Sequence, residues 1–244
     1  MLRLLERAKS AGCPTLVFTV DLAVVGTRYR DVRSGFNAPI SRFNLLSRIW
    51  EGITHPKWTT DVYLRGRPHH LGNLVEAMGR NSVQADFWDW VRRNWDSSVT
   101  WKDIEWVRAN WDGPIVLKGV LDVADAREAV RAGVDGIVVS NHGGRQLDGV
   151  NSTARILPKI ADAVGQDLAV LVDGGVRSGL DVLKMQALGA KACLIGRAWA
   201  FAMAANGQSG ISTILQTMKG ELEIAMALAG CTDIRRANQD LLDH

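Results

Sequence analysis

Residues 114–143 read PIVLKGVLDVADAREAVRAGVDGIVVSNHG. An apolar, β-branched run (PIVLKGV, 114–120) gives way to a helical pattern that starts at the N-cap candidate Asp122 and stops at Gly133, and a second apolar run (GIVVSNHG, 136–143) follows. Short runs apolar on every position are the mark of strands buried on both faces of a parallel sheet, and the helix between them makes a right-handed crossover. The same beat continues downstream. TARILPKIADAVG is a helix that stops at Gly165, LAVLVDGGV (168–176) a strand, SGLDVLKMQALGA a helix that stops at Gly189, and ACLIGRA (192–198) a further strand. Upstream, an amphipathic helix at 2–11 leads through Gly12 and Pro14 into TLVFTVD (15–21). Five strands separated by helices predict an α/β fold built on a parallel sheet.

Between Asp21 and Pro114 this rhythm fails. Residues 22–85 mix Gly, Pro, Arg, His and Trp with little period, and two helical segments follow, ADFWDWVRRNW (85–95) and WKDIEWVRANW (101–111), the second preceded by the capping pair Thr100/Asp103. Eight of the nine tryptophans lie in 50–111, and residues 28–70 carry eight Arg/Lys against three Asp/Glu, a local excess of five in a chain whose net charge is +3. A basic insertion with interfacial aromatics suits an anionic membrane surface; an ordinary surface loop joined to a Trp-rich subunit interface is the equal alternative. The basic residues are dispersed and no recognition motif accompanies them, so no nucleic-acid partner is expected.

Composition sets the outer bounds. With 244 residues, 47% hydrophobic and 23% charged, the chain is an ordinary globular one. Three scattered cysteines form neither a disulfide framework nor a metal-binding spacing, so a reducing compartment and no metal are expected. The N-terminus lacks the apolar core of a signal peptide, and no run reaches the ~18 apolar residues of a membrane span.

In a barrel of parallel strands, functional groups gather where the strands end. Those ends carry Thr19 and Asp21, then Lys118, then Ser140, His142 and Arg145, then Asp173, Gly174, Gly175 and Arg177, and finally Gly196 and Arg197. In SNHGGRQLDG (140–149) the paired glycines leave backbone room for a ligand, Arg145 offers a two-pronged fork for a carboxylate, and His142 can accept a proton near neutral pH. In VDGGVRSG (172–179) and IGRA (195–198), glycine turns expose backbone N–H groups beside Arg177 and Arg197, which suits a phosphate. Asp173 either caps a turn or holds the hydroxyls of a ribityl or ribose chain.

The runs TVD…R, LKG, SNHGGRQLDG, DGGVR and IGRA resemble the FMN-dependent α-hydroxy-acid dehydrogenase/oxidase family. FTVDLAVVGTRYRD, HPKWTTDVYLRGRPHHLGN and the stretch from WKDIEWVR to LIGRA are most similar to its bacterial respiratory L-lactate dehydrogenases. The resemblance implies that His142 is the active-site base and that Asp21 stabilises its protonated ring. Arg28 and Arg145 would hold the substrate carboxylate. Lys118, Thr19 and Ser140 would face the flavin ring, Asp173 its ribityl chain, and Gly174, Gly175, Arg177, Gly196 and Arg197 its phosphate. The implied reaction takes L-lactate, or another L-2-hydroxy acid, to the 2-oxo acid with FMN as cofactor. Electrons would then pass to quinone from a peripheral site on the inner face of the bacterial cell membrane, and a homo-oligomer is implied.

The resemblance also implies a TIM (β/α)8-type barrel that is incomplete here, with the fourth to eighth strands present. Residues 1–244 would form the C-terminal portion of one such domain, with the basic Trp-rich insertion at about 22–113. Two alternatives accompany this reading: an inactive fragment that retains partial FMN binding, and a related glycolate or mandelate oxidase.

Overall fold

A computed structural model describes residues 2–26, 28–29, 33, 42–66, 72–74, 78, 90–91 and 93–242. The chain divides into two compact units, 1–26 together with 98–244, and 27–97.

The first unit follows the strand–helix beat. Helix α1 (Leu2–Ser10) precedes β1 (Leu16–Thr19), and after the second unit α3 (Trp101–Asn110) leads into β2 (Ile115–Val120). Then come α4 (Val123–Arg131), β3 (Gly136–Val139), α5 (Thr153–Val164), β4 (Ala169–Val172), α6 (Gly179–Ala187), β5 (Ala192–Cys193) and α7 (Arg197–Leu228). The five strands form one parallel sheet in the order β1-β2-β3-β4-β5, each paired with its sequence neighbour, as successive right-handed βα units require. This is the arc of a TIM-type barrel that the sequence predicted, with β1 and β5 as its edges.

Helix starts are set by side chains named in the sequence. The Asp122 carboxylate accepts from the Ala124 N–H at 2.7 Å to open α4. At α3 the Asp103 carboxylate accepts from the Thr100 amide at 2.7 Å and from its hydroxyl at 2.8 Å. At α6 the Ser178 hydroxyl accepts from the Asp181 N–H, while Asp181 accepts from the amides of Arg177 and Ser178. Each pairing satisfies N–H groups that a helix end leaves without partners.

The helices cover one face of the sheet. On that side Ile115, Leu117, Ile137, Val139, Val170 and Val172 are completely buried, joined by Ile104, Val107 and Trp111 from α3 and its end. These contacts make α3 part of the first unit, so the second unit is shorter than the 22–113 interruption read in the sequence. The opposite face is less enclosed: in β4, Ala169 and Leu171 are partly exposed while Val170 and Val172 are buried, and Val17 on β1 is 52% exposed. Burial on both faces therefore holds for β3 but not for β1 or β4.

β5 ends at Cys193, well short of the run read as 192–198, and α7 begins at Arg197. α7 is broken at Asn206–Gly207, where Gly207 has φ +54°.

In the second unit, α2 (Arg42–Thr54) precedes a short helical stretch, Pro56–Trp58, that runs into a π-helical turn at Thr59–Leu64. Of the helix expected over 85–95, residues 90, 91, 93 and 94 are described and helical. Residues 30–32, 34–41 and 67–70 of the basic stretch lie outside the described residues.

Candidate active site

Strand pleating decides which of the sequence-selected residues can meet. Register pairs Thr19 with Lys118, Lys118 with Val138, and Val138 with Leu171. Side chains repeat every two residues, so Thr19, Lys118, Ser140 and Asp173 all project from the face opposite the helices, at the carboxyl ends of adjacent strands.

Two polar groups form there. In the first, the Lys118 ammonium donates to the Ser140 hydroxyl at 2.9 Å and pairs with Asp173 Oδ2 at 2.9 Å. Ser140 is fully buried, and its hydroxyl also accepts from the His142 N–H at 3.1 Å. The lysine is thus held at a fixed point, with its charge answered by one carboxylate oxygen. The other oxygen, Asp173 Oδ1, is buried and has no hydrogen-bond partner. A buried acceptor of this kind takes its donor from outside the chain, from a water or from a ligand.

In the second group, His142 Nδ1 lies 3.1 and 3.2 Å from the two carboxylate oxygens of Asp21. The carboxylate accepts, so Nδ1 carries the hydrogen and Nε2 is left with its lone pair. His142 is the one described residue besides glycine with a positive φ, +53°. Such a backbone costs ~1–3 kcal/mol and survives where its surroundings impose it. They do so from two sides: the Asn141 side chain accepts from the Gly143 N–H at 3.0 Å, and the Arg197 guanidinium donates to the Gly143 carbonyl at 2.6 Å. Gly119 makes the approach of Asp21 possible. Its φ is +111°, and a Cβ there would lie 2.6 Å from Asp21 Cβ and Cγ.

The glycine turns provide a third feature. Gly175 has φ +83°, and added Cβ atoms at Gly175 and Gly196 would meet nothing within 4 Å. Gly196 caps α7 without a side-chain hydrogen bond, so the leading amides of that helix have no capping side chain. Arg177 and Arg197 are exposed beside these turns. A flavin mononucleotide fits these residues: a ribityl hydroxyl would answer Asp173 Oδ1, and a phosphate would accept from the α7 amides.

Arg145 is exposed after the His142–Gly144 turn, and Arg28 belongs to the second unit, two residues beyond the end of the first. Sequence reasoning missed Gln146, whose side chain bonds back to the loop after β1, and the part Arg197 plays in bracing the histidine turn. Both contacts join segments more than fifty residues apart, and no local pattern announces them.

The second unit presents an apolar helix face. Leu45, Leu46, Ile49, Trp50 and Ile53 of α2 recur at helical spacing and are 47–66% exposed, and Trp58, Val62, Tyr63 and Leu64 continue the exposed apolar surface. Arg48, Lys57 and Arg65 lie along the same segment, and Trp58 stacks on Tyr63 with centroids 6.4 Å apart. Among the described residues no helix is long and apolar enough to cross a membrane.

Comparison with known proteins gives matches along the whole chain. The family model described as FMN-dependent dehydrogenase matches residues 1–244. A mandelate oxidase solved with 3,3-difluoro-2-hydroxy-3-phenylpropionic acid is 41% identical, with 98% of this chain and 57% of that chain covered and a TM-score of 0.71. A mandelate oxidase variant solved with (S)-mandelic acid is also 41% identical, with 97% and 58% covered and a TM-score of 0.72. A structure described as the monotopic membrane protein (S)-mandelate dehydrogenase is 34% identical, with 99% and 63% covered and a TM-score of 0.90. The chain therefore spans less than two thirds of the length of each of these proteins.

Proposed function

Since the chain belongs to the FMN-dependent dehydrogenase family, with FMN as its cofactor, we propose that it serves the oxidation of an L-2-hydroxy acid to the 2-oxo acid. The observation that carries this reading is the His142–Asp21 pair beside the Lys118–Ser140–Asp173 group at adjacent strand ends. His142 takes the hydroxyl proton at Nε2, and the Asp21 carboxylate against Nδ1 stabilises the cation that results. Arg145 and Arg28 bind the substrate carboxylate and orient Cα. Bound FMN would supply the two-electron acceptor for the Cα hydrogen. Lys118 would offer a fixed positive charge to the flavin ring beside Thr19 and Ser140, Asp173 would hold the ribityl chain, and Gly174, Gly175, Arg177, Gly196 and Arg197 would hold the phosphate end of the cofactor.

L-lactate is the substrate favoured by the sequence resemblance. Mandelate is the second reading, favoured by the oxidase and dehydrogenase neighbours. The exposed apolar residues of α2, with Arg48, Lys57 and Arg65 along the same segment, support docking on an anionic membrane, where a quinone would receive the electrons; a neighbour described as a monotopic membrane protein supports the same reading.

The test is anaerobic. The FMN-loaded protein is mixed with L-lactate, (S)-mandelate and glycolate in turn, and the loss of flavin absorbance is followed. Bleaching by one of them at a saturable rate is expected. FMN binding without bleaching by any hydroxy acid would leave a non-catalytic flavin-binding chain in place of the enzyme.

A further inference from the structure

Asp21 is the second residue after β1, where regular pairing has ended: the last backbone bond of the strand runs from the Val20 N–H to the Lys118 carbonyl at 2.9 Å. The loop over residues 21–26 nevertheless has to hold a carboxylate within 3.2 Å of His142. Gln146, four residues after that histidine, supplies the fixing points. Its amide nitrogen donates to the backbone carbonyls of Asp21 at 3.2 Å and Val24 at 2.8 Å, and its amide oxygen accepts from the Gly26 N–H at 3.3 Å. One side chain thus bonds the first, fourth and sixth residues of the loop. At the far end the backbones touch, since a Cβ on Gly26 would lie 2.4 Å from the Arg145 carbonyl oxygen and 2.9 Å from Gln146 Cα.

We propose that Gln146 is a positioning residue that sets the alignment of Asp21 with His142. The inference rests on the reading of that pair as the proton-handling groups. Gln146 bonds to the Asp21 main chain, not to its carboxylate, and so acts through the backbone that aims it. Only an amide serves here, because the loop offers two carbonyls that need a donor and one N–H that needs an acceptor. A carboxylate at this position would leave both carbonyls unbonded, and an alanine all three groups. Gly26 completes the clamp from the loop side.

The experiment compares the FMN-loaded wild-type protein with Gln146→Glu, Gln146→Ala and Gly26→Ala. The readouts are the ¹⁵N shifts of the His142 ring, the anaerobic rate of flavin reduction by hydroxy acid, FMN affinity and the thermal midpoint. Wild-type protein should show one tautomer, with hydrogen on Nδ1. All three variants should show a mixture of tautomers, and flavin reduction should slow ~10–100-fold at saturating substrate with FMN affinity unchanged. Gly26→Ala opens the clamp without touching the amide and decides the matter if the Gln146 variants do not fold. A single Nδ1–H tautomer retained in every folded variant would overturn the proposal, even if the thermal midpoint fell, because that result marks a purely structural role. If no hydroxy acid reduces the wild-type flavin, the functional reading fails, and the tautomer signature still decides whether Gln146 aims Asp21 at His142.

Discussion

Asp21 and His142, 121 residues apart, meet carboxylate to imidazole with both oxygens within 3.2 Å of Nδ1. The contact fixes which ring nitrogen carries a hydrogen towards the carboxylate. It also joins the ends of β1 and β3, strands that do not pair with each other, across the end of β2 that lies between them.

Removing either partner separates chemistry from binding. His142→Gln and Asp21→Asn are each expected to slow anaerobic flavin reduction by hydroxy acid ~10²–10⁴-fold, the usual contribution of a positioned general base. FMN affinity should stay within about twofold, because neither side chain belongs to the Lys118 group. Stopped-flow bleaching and a flavin fluorescence titration measure the two effects separately.

Gly119→Ala strikes the same pair from β2. An alanine there must adopt φ +111° and drive a Cβ against Asp21, so a loss of ~1–3 kcal/mol in unfolding free energy is expected together with a misplaced carboxylate. Chemical denaturation gives the first quantity. Hydroxy-acid turnover gives the second, and it should fall further than stability alone explains.

Asp173→Ala removes the partner of Lys118 and the unbonded acceptor Oδ1 together. A hydrogen bond to a charged group is worth ~1.5–3 kcal/mol, so FMN should bind at least ~10-fold more weakly. Quenching of flavin fluorescence on titration checks this, and unchanged affinity would detach Asp173 from the cofactor.

The Asp181 carboxyl gives a pH dependence. Burial pushes its pKa up, but hydrogen bonds from the Arg177 and Ser178 amides and the Ser178 hydroxyl, with the charge of Lys184, hold it below the ordinary carboxylate value. A carboxyl lowered on folding stabilises the native state fully above its unfolded pKa, ~3.9, and that stabilisation is lost as pH falls through the folded value. Asp181→Ala should therefore cost ~0.5–2 kcal/mol at neutral pH, and the difference from wild type should shrink below about pH 4. Urea melts at pH 7 and pH 3.5 provide the comparison.

On α2, Ile49 is 50% and Trp50 66% exposed, so replacing both with serine should leave folding intact. If the helix lies on a membrane, the double variant should bind anionic vesicles at least ~10-fold more weakly, since burying one such side chain contributes ~1.5–3 kcal/mol. Raised salt should weaken the wild-type interaction further by screening Arg48, Lys57 and Arg65. Co-sedimentation with phosphatidylserine-containing vesicles at two ionic strengths tests both expectations.

Strands and caps were legible because their causes are local. Runs such as VLKGV and GIVVS are short, apolar and β-branched and are bounded by turn residues, as strands are, and Asp122, Thr100 and Asp103 stand two or three residues from the amides they bond. α7 was hidden for the complementary reason. Its first residues follow β5 without a turn-rich gap, and Asn206, Gly207 and Gly210 interrupt a stretch otherwise rich in good helix formers, so its span shows only with its packing against α6. The second unit lacks periodicity over much of its length, and its α2 became visible only as an exposed apolar face.

By itself the sequence determined the succession of parallel strands, the order in which they carry Asp21, Lys118, Ser140, His142 and Asp173, and the likeness to one enzyme family. Each of these is written in neighbouring residues, through alternation, capping and motif spacing. Only the tertiary structure decided which oxygen of Asp173 goes unbonded, that Gly119 gives way to Asp21, and that Gln146 clamps the loop from residue 21 to 26. Those facts depend on where side chains from distant segments arrive once the strands are in register, and register is a property of the assembled sheet that no single stretch of chain contains.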